Sequence, residues 1–338
     1  MSSLRLSRIA LVAAIVPFSQ MSLGQVPDQP APTFHASSSL VLLDVIAQDP
    51  KTGLPLDNLG REDFHVFDNN IPVPIVSFDT GKHYDARPIA LWLVVICNEQ
   101  NQGLIRSGAF VGHESLFRSA LDYLDKRDGV GVAHWCDNGD AELDLHPTGD
   151  RDLAIRALAE ALKPIPFIAP RGARVGELAV QEMFRSIIRD THHQNPEPLP
   201  VAVLLYGDLT GMPLPELNAV VDDFLETSGI VFGIKDASVP EGSPLTNGEQ
   251  SAIFHYMAVG TGGQYFAIPP GLYASALDSI ILQLHFRYQI GFKPSVIDGK
   301  RHRLRVELVG DARKRYKRVS LRYRPEYIPT QAPPAWQR

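Results

Sequence analysis

The stretch A-L-W-L-V-V-I-C-N-E-Q-N, residues 90–101, decides the fold. Positions 90–96 are an unbroken apolar run, the pattern of a central parallel strand covered on both faces; a half-exposed strand would alternate. In open α/β sheets ligands bind beyond the carboxyl ends of such strands, and Cys97, Glu99 and Asn101 fall there. One short segment therefore predicts both a fold class and the place of a site.

The pattern continues C-terminally as alternating strands and helices. Leu116, Phe117, Ala120, Leu121 and Leu124 mark a helical face, 130–135 a second strand, and 141–145 a short hairpin edge. Asp150 is placed to N-cap a helix with Leu153, Ala157, Leu158 and Leu162 inward. A helix over 175–189 and a strand over 201–206 follow. Leu217, Val220, Val221 and Phe224 keep helical spacing; then come a strand (229–234), a helix (251–259) and a strand (264–267). Leu277, Ile280, Ile281 and Leu284 give the closing helix its stripe. This alternation predicts a doubly wound, mostly parallel (Rossmann-like) sheet with helices on both faces over 86–285.

Both flanks read as β. Strands are expected at 39–47, 64–67 and 71–78, the last two joined by an Asp68-Asn69-Asn70 turn, and again at 286–292, 302–308 and 318–323. Neither flank has enough strands to stand alone. The simplest solution is one small all-β domain, built from 38–80 and 286–328, into which the α/β unit is inserted.

The 338 residues are 44% hydrophobic and 21% charged, with a formal charge of −6, which gives no global push toward nucleic acid. Arg5 and Arg8 precede an apolar run, 9–18, and Ser22-Leu23-Gly24 offers small residues for cleavage. Residues 1–24 thus read as a secretory signal peptide, too short in its apolar part to span a bilayer. A Pro-rich linker (25–37) and a tail (329–338) complete the layout. The expectation is a secreted or periplasmic protein that does not span the membrane.

Four segments carry a resemblance. They are L-D-N-L-G-R-E-D-F-H-V-F-D-N-N-I-P-V-P-I (56–75), A-V-G-T-G-G-Q-Y-F (258–266), F-R-Y-Q-I-G-F-K-P (286–294) and Y-R-P-E-Y (323–327). In this order the chain resembles the secreted bacterial proteins with a von Willebrand factor A-related (VWA) domain, acidobacterial type. The resemblance implies the inserted α/β fold and non-catalytic recognition of a protein or cell-envelope partner. It also implies a divalent-cation adhesion site, an Asp-x-Ser-x-Ser loop completed by a Thr and an Asp, for Mg²⁺ with its octahedral oxygen ligands. On this sequence those positions hold Cys97, Glu99 and Asn101, then Ala173 with Arg174 beside it, then Gly207 with Asp208 one place along. None of the five matches.

Three readings of the loop stand. In the favoured one the cation is lost and the domain binds without metal or serves as scaffold, since a thiol and a methyl are poor partners for Mg²⁺. In the second, Glu99, Asn101 and Asp208 form a remodelled oxygen site. In the third, Cys97, Cys136 and His134 make a soft-metal or thiol-reactive site. Within the first, Arg174 either substitutes for the ion by pairing with Glu99 or Asp208, or points into water.

Cys97 and Cys136 end what the fold makes neighbouring strands, so they are a disulfide candidate, against two buried thiols. His192 and His193 read as a solvated turn. Cys97 with His134 or His113 lacks a third group or an oxyanion loop, so no catalytic residue is expected, and Tyr206-Gly207-Asp208 carries no weight. Residues 300–324 hold eleven Lys or Arg. Alternation puts Arg303 and Arg305 with Glu307 outward, as a solvated face or as a basic surface for an anionic partner.

Overall fold

The computed structural model describes residues 40–80, 87–97, 114–136, 141–163, 173–193, 198–205, 214–237 and 248–329. Positions 97, 173–179, 214–216, 236, 248–254 and 270 are described by backbone alone. The expected signal peptide and most of the linker and tail lie outside these residues.

The chain is a mixed α/β protein. It opens with β1 (Val41–Gln48), β2 (Phe64–Asp68), β3 (Ile71–Val73) and β4 (Ile75–Thr80). The central sheet follows: β5 (Ile89–Cys97), β6 (Gly129–Cys136), β7 (Ala141–Thr148), β8 (Leu199–Leu205), β9 (Ile230–Asp236) and β10 (Tyr265–Ile268). Its spatial order is β10-β9-β8-β5-β6-β7, parallel except for the antiparallel edge strand β7.

Central position explains the apolar run in β5. Ile89, Leu91, Leu93 and Val95 join one core with α1 (Glu114–Leu121), α2 (Arg151–Ala161) and α6 (Tyr273–His285). Ala90, Trp92, Val94 and Ile96 join the other with α3 (Ala173–His192), α4 (Leu214–Glu226) and α5 (Gly248–Thr261). Successive side chains point to opposite faces, and helices cover both, so no position of the strand can be polar. Gly131 pairs with Trp92, and a Cβ there would lie 2.6 Å from the indole. The Trp92 Nε1–H donates to Thr191 Oγ1 at 3.0 Å, so burying the indole leaves no orphan donor.

Asp150 N-caps α2, accepting from the Leu153 N–H at 2.9 Å. The inward face differs in part from the expected one. Leu158 and Leu162 are buried as expected, but Leu153 is exposed and Ala157 half-buried, while Arg151, Ala154 and Ala161 are buried instead. Arg151 competes for the inside because its guanidinium donates to the carbonyls of Thr148, Asp125 and Asp128.

After the α/β region come β11 (Tyr288–Phe292), β12 (His302–Leu308), the short helix α7 (Gly310–Arg315), β13 (Ser320–Arg322) and β14 (Glu326–Tyr327). They pair with the N-terminal strands in two four-stranded sheets, ordered β13-β1-β11-β4 and β14-β12-β2-β3. A shared core of Leu43, Val45, Phe64, Val66, Ile290, Phe292, Leu304 and Val306 lies between them. The strand expected over 71–78 is two strands serving different sheets, β3 on β2 and β4 on β11. The break falls at Pro74, which has no N–H to continue a ladder. Asn69 and Asn70 take φ of 48° and 66°, the left-handed pair that a two-residue hairpin turn demands.

Three arginines tie these sheets to the α/β layers. Arg287 donates to Asp44 at 3.0 Å, to the Leu284 carbonyl ending α6 at 2.6 Å and to the Arg87 carbonyl at 2.7 Å. Arg324 donates to the carbonyls of Leu225 and Leu42, each at 2.6 Å. Arg322 donates to the side-chain amide oxygens of Gln48, Gln264 and Gln283. Burial pulls both Arg322 and Arg324 down to about 10, still far above neutrality.

Candidate functional site

The site is defined by where the sheet changes direction. The chain lays down β5, moves outward to β6 and β7, then returns to β8 on the other side of β5 and continues to β9 and β10. The carboxyl ends of β5 and β8 are therefore neighbours from which successive connections diverge, the crevice that this topology opens for ligands. Val95 pairs with Leu205 at the last common step.

The expected site residues distribute unevenly around this rim. Cys97 is the final residue of β5, at the rim, with its backbone paired to Cys136. Ala173 and Arg174 are the first two residues of α3, so a position expected in a loop belongs to a helical turn. Glu99, Asn101, Gly207 and Asp208 lie outside the described residues, as does the side chain of Arg174. A hard cation needs oxygen donors; positions 97 and 173 supply sulfur and a methyl, so this part of the donor set does not fit Mg²⁺.

Cys136 is disulfide-bonded, and no cysteine among the described residues is free. Two places back, on the same strand face, His134 sets Nδ1 at 2.9 Å from both carboxylate oxygens of Asp144. A histidine oriented by a carboxylate beside a cysteine has the outline of a nucleophilic site. The chemistry fails at the sulfur, because a disulfide offers no thiolate. Asp144 was not singled out from the sequence; the alternation of β7, with Glu142, Asp144 and His146 at every second place, is the signal that places it on one face.

Among the described residues, Asp125, Asp128 and His285 bring three potential metal ligands within 4.8 Å of one another. They sit at the amino end of β5, away from the rim, and the Asp128 carboxylate is already engaged. Asp128 accepts from the Ile89 N–H at 2.8 Å, from the Asp125 N–H at 2.9 Å and from His285 Nε2 at 3.3 Å. Burial alone would raise the Asp128 carboxyl, but these donors outweigh it and hold it below the ordinary range. The group closes the bottom of the sheet.

On the outward face of β12, Arg305 pairs with Glu307 and lies 3.7 Å over the Phe67 ring, while Arg303, its side chain 86% exposed, lies 3.9 Å from Glu326, a carboxylate that Arg301 also engages at 3.2 Å. Arg322 and Arg324, counted in the same basic run, are the tethers described above rather than surface charges.

No family model matches the chain, and no curated protein matches it. Solved structures with similar folds include BatB from Bacteroides thetaiotaomicron, at 17% identity, covering 58% of this chain and 97% of that one, with a TM-score of 0.37. A von Willebrand factor type A protein from Catenulispora acidiphila aligns at 11% identity over 82% of this chain and 76% of its own, with a TM-score of 0.41. The pilus adhesin SpaC from Lactobacillus rhamnosus GG aligns at 11% over 71% and 35%, with a TM-score of 0.43. Likeness at this level does not carry over what those proteins bind. No helix among the described residues is long and apolar enough to cross a membrane.

Proposed function

We propose that the chain is an exported recognition module of VWA type that binds a protein or cell-envelope partner through the loops above β5 and β8, without a metal ion. The observation that carries this reading is the order reversal at β5, which sets the ends of β5 and β8 side by side at the rim. The four collinear sequence segments support the family, and the tripartite N-terminus supports export. The residues at the adhesion-site positions support the loss of the cation. In this reading Cys97 and Cys136 are bridged, cross-linking the top of the sheet beside the rim. The two flanking β segments act as one small domain that carries the recognition unit.

Affinity capture from the source cell envelope tests it, run with and without divalent cation. The reading expects a captured partner that is retained in chelator and lost when 97–101 or 207–211 is replaced by a Gly/Ser loop of equal length. Capture that requires cation, and fails in Glu99→Gln or Asp208→Asn, would instead support a remodelled oxygen site. Capture indifferent to both loops would leave the rim a scaffold and sink the proposal.

A further inference from the structure

We propose that the connection between β12 and β13, residues 309–319, is a docking surface for an anionic phospholipid bilayer, independent of the rim. Its sequence from Gly310 is G-D-A-R-K-R-Y-K-R-V. Arg313, Lys314, Arg315, Lys317 and Arg318 are all exposed, and Asp311 is the sole carboxylate in the connection. Lys314 meets Asp311 at 2.9 Å, but with side chains 81% and 84% exposed that pair is screened and weak. Among the described residues no ion pair engages Arg313, Arg315, Lys317 or Arg318. The neighbouring acids include Asp57, next to the Asn58 that Tyr316 bonds, and Glu62 and Asp63, on the 3₁₀ turn against which α7 packs; Asp63 accepts from the Gly60 N–H at 2.8 Å. Of the eleven Lys or Arg over 300–324, five stand exposed in this one connection.

The connection holds its charges outward on a fixed frame. Val309 N–H donates to the Asp63 carbonyl at 2.9 Å, Ala312 is buried, and the Tyr316 hydroxyl bonds to Asn58 Oδ1 at 2.8 Å. Consecutive helical residues point about 100° apart. Arg313, Lys314 and Arg315 therefore fan out instead of converging, and Lys317 and Arg318 extend the fan. A set spread this way does not close on one phosphate, whereas its long, flexible side chains can bend toward a single broad anionic surface. Headgroups that diffuse laterally can gather under every cation, each contributing about 1 kcal/mol near an anionic surface. None of the large exposed apolar side chains lies within 309–319, so nothing inserts and attachment is peripheral and salt-sensitive.

The test is co-sedimentation of the full chain with phosphatidylcholine vesicles, with and without phosphatidylglycerol, at low and physiological salt. Retention on the anionic vesicles should exceed that on neutral ones by about tenfold or more, and fall as salt rises. The combined variant Arg313→Gln, Lys314→Gln, Arg315→Gln, Lys317→Gln, Arg318→Gln should lose it with an unchanged melting temperature, while Arg303→Gln, Arg305→Gln keeps it. If the fivefold variant unfolds, Lys314→Gln, Lys317→Gln, Arg318→Gln should still cut retention severalfold. Equal retention by the variants, or no retention of the native chain at low salt, would overturn the proposal. So would binding to a soluble polyanion such as heparin without binding to vesicles.

Discussion

The residues that hold this molecule together are charged ones in places where charge is costly. Asp68 and His302 are fully buried, with His302 Nδ1 2.7 Å from Asp68 Oδ1. Asp68 also accepts from the Ser295 N–H and hydroxyl, at 2.8 and 2.6 Å. Burial would raise its carboxyl, but the Ser295, Tyr327 and His302 donors outweigh that and lower it. A carboxyl depressed on folding contributes stability above its unfolded pKa of about 3.9 and loses it as pH falls through the folded value. The acid limb of a melting-temperature profile should therefore be shallower below about pH 4 in Asp68→Asn than in the native chain. An unchanged slope would show that Asp68 adds nothing there. Arg324 tests the seam: Arg324→Met takes the short bond from the Leu225 and Leu42 carbonyls, leaving each a long one from Ser228 (3.4 and 3.5 Å), and denaturant unfolding should show a loss of about 2–4 kcal/mol. Neither role was legible in the sequence. Asp68 looks like any turn residue, and Arg324 sits in a basic run of which five members are exposed in the β12–β13 connection. Only the three-dimensional pairing tells them apart.

At the scale of elements, the sequence carried most where burial is simple. Residues 90–96 could be nothing but a doubly covered strand, and Leu277, Ile280, Ile281 and Leu284 are all fully buried on α6. Prediction slipped where a polar group competes for the inside, as Arg151 does on α2, or where one apolar stretch serves two sheets, as at Pro74. Part of the segment 258–266 has a local reason. Gly262 has φ +86°, with the Tyr323 and Arg324 backbone within 2.6 Å of where a Cβ would sit. Gly263 would place a Cβ 2.0 Å from the Val231 carbonyl oxygen. That obstacle is backbone and cannot rotate away. Gly263→Ala should cost about 1–3 kcal/mol in thermal or denaturant unfolding. Gly271→Ala, with nothing within 4 Å of its Cβ, should be close to neutral.

In the whole molecule, the proposed Cys97–Cys136 bridge would cross-link the top of the sheet beside the rim. Denatured, export-purified protein should show no titratable thiol until reductant is added, and Cys136→Ser should lose about 2–4 kcal/mol against the oxidised chain. Equal thiol counts with and without reductant would refute the bridge. The place of the candidate site was legible because the topology alone fixes where the carboxyl ends of β5 and β8 meet. Its chemistry was legible only as a set of substitutions, Cys97 and Ala173 among them, whose meaning depends on what the rim binds. The central claim is that this rim works without a cation. A ligand that binds only the folded state raises stability, by about 2.7 kcal/mol at a hundred times its dissociation constant. The decisive measurement is the melting temperature of the full chain with Mg²⁺, Ca²⁺ or Mn²⁺ and with chelator. Superimposed curves are expected. A cation-dependent rise, abolished by chelator and missing in Glu99→Gln and Asp208→Asn, would contradict that claim.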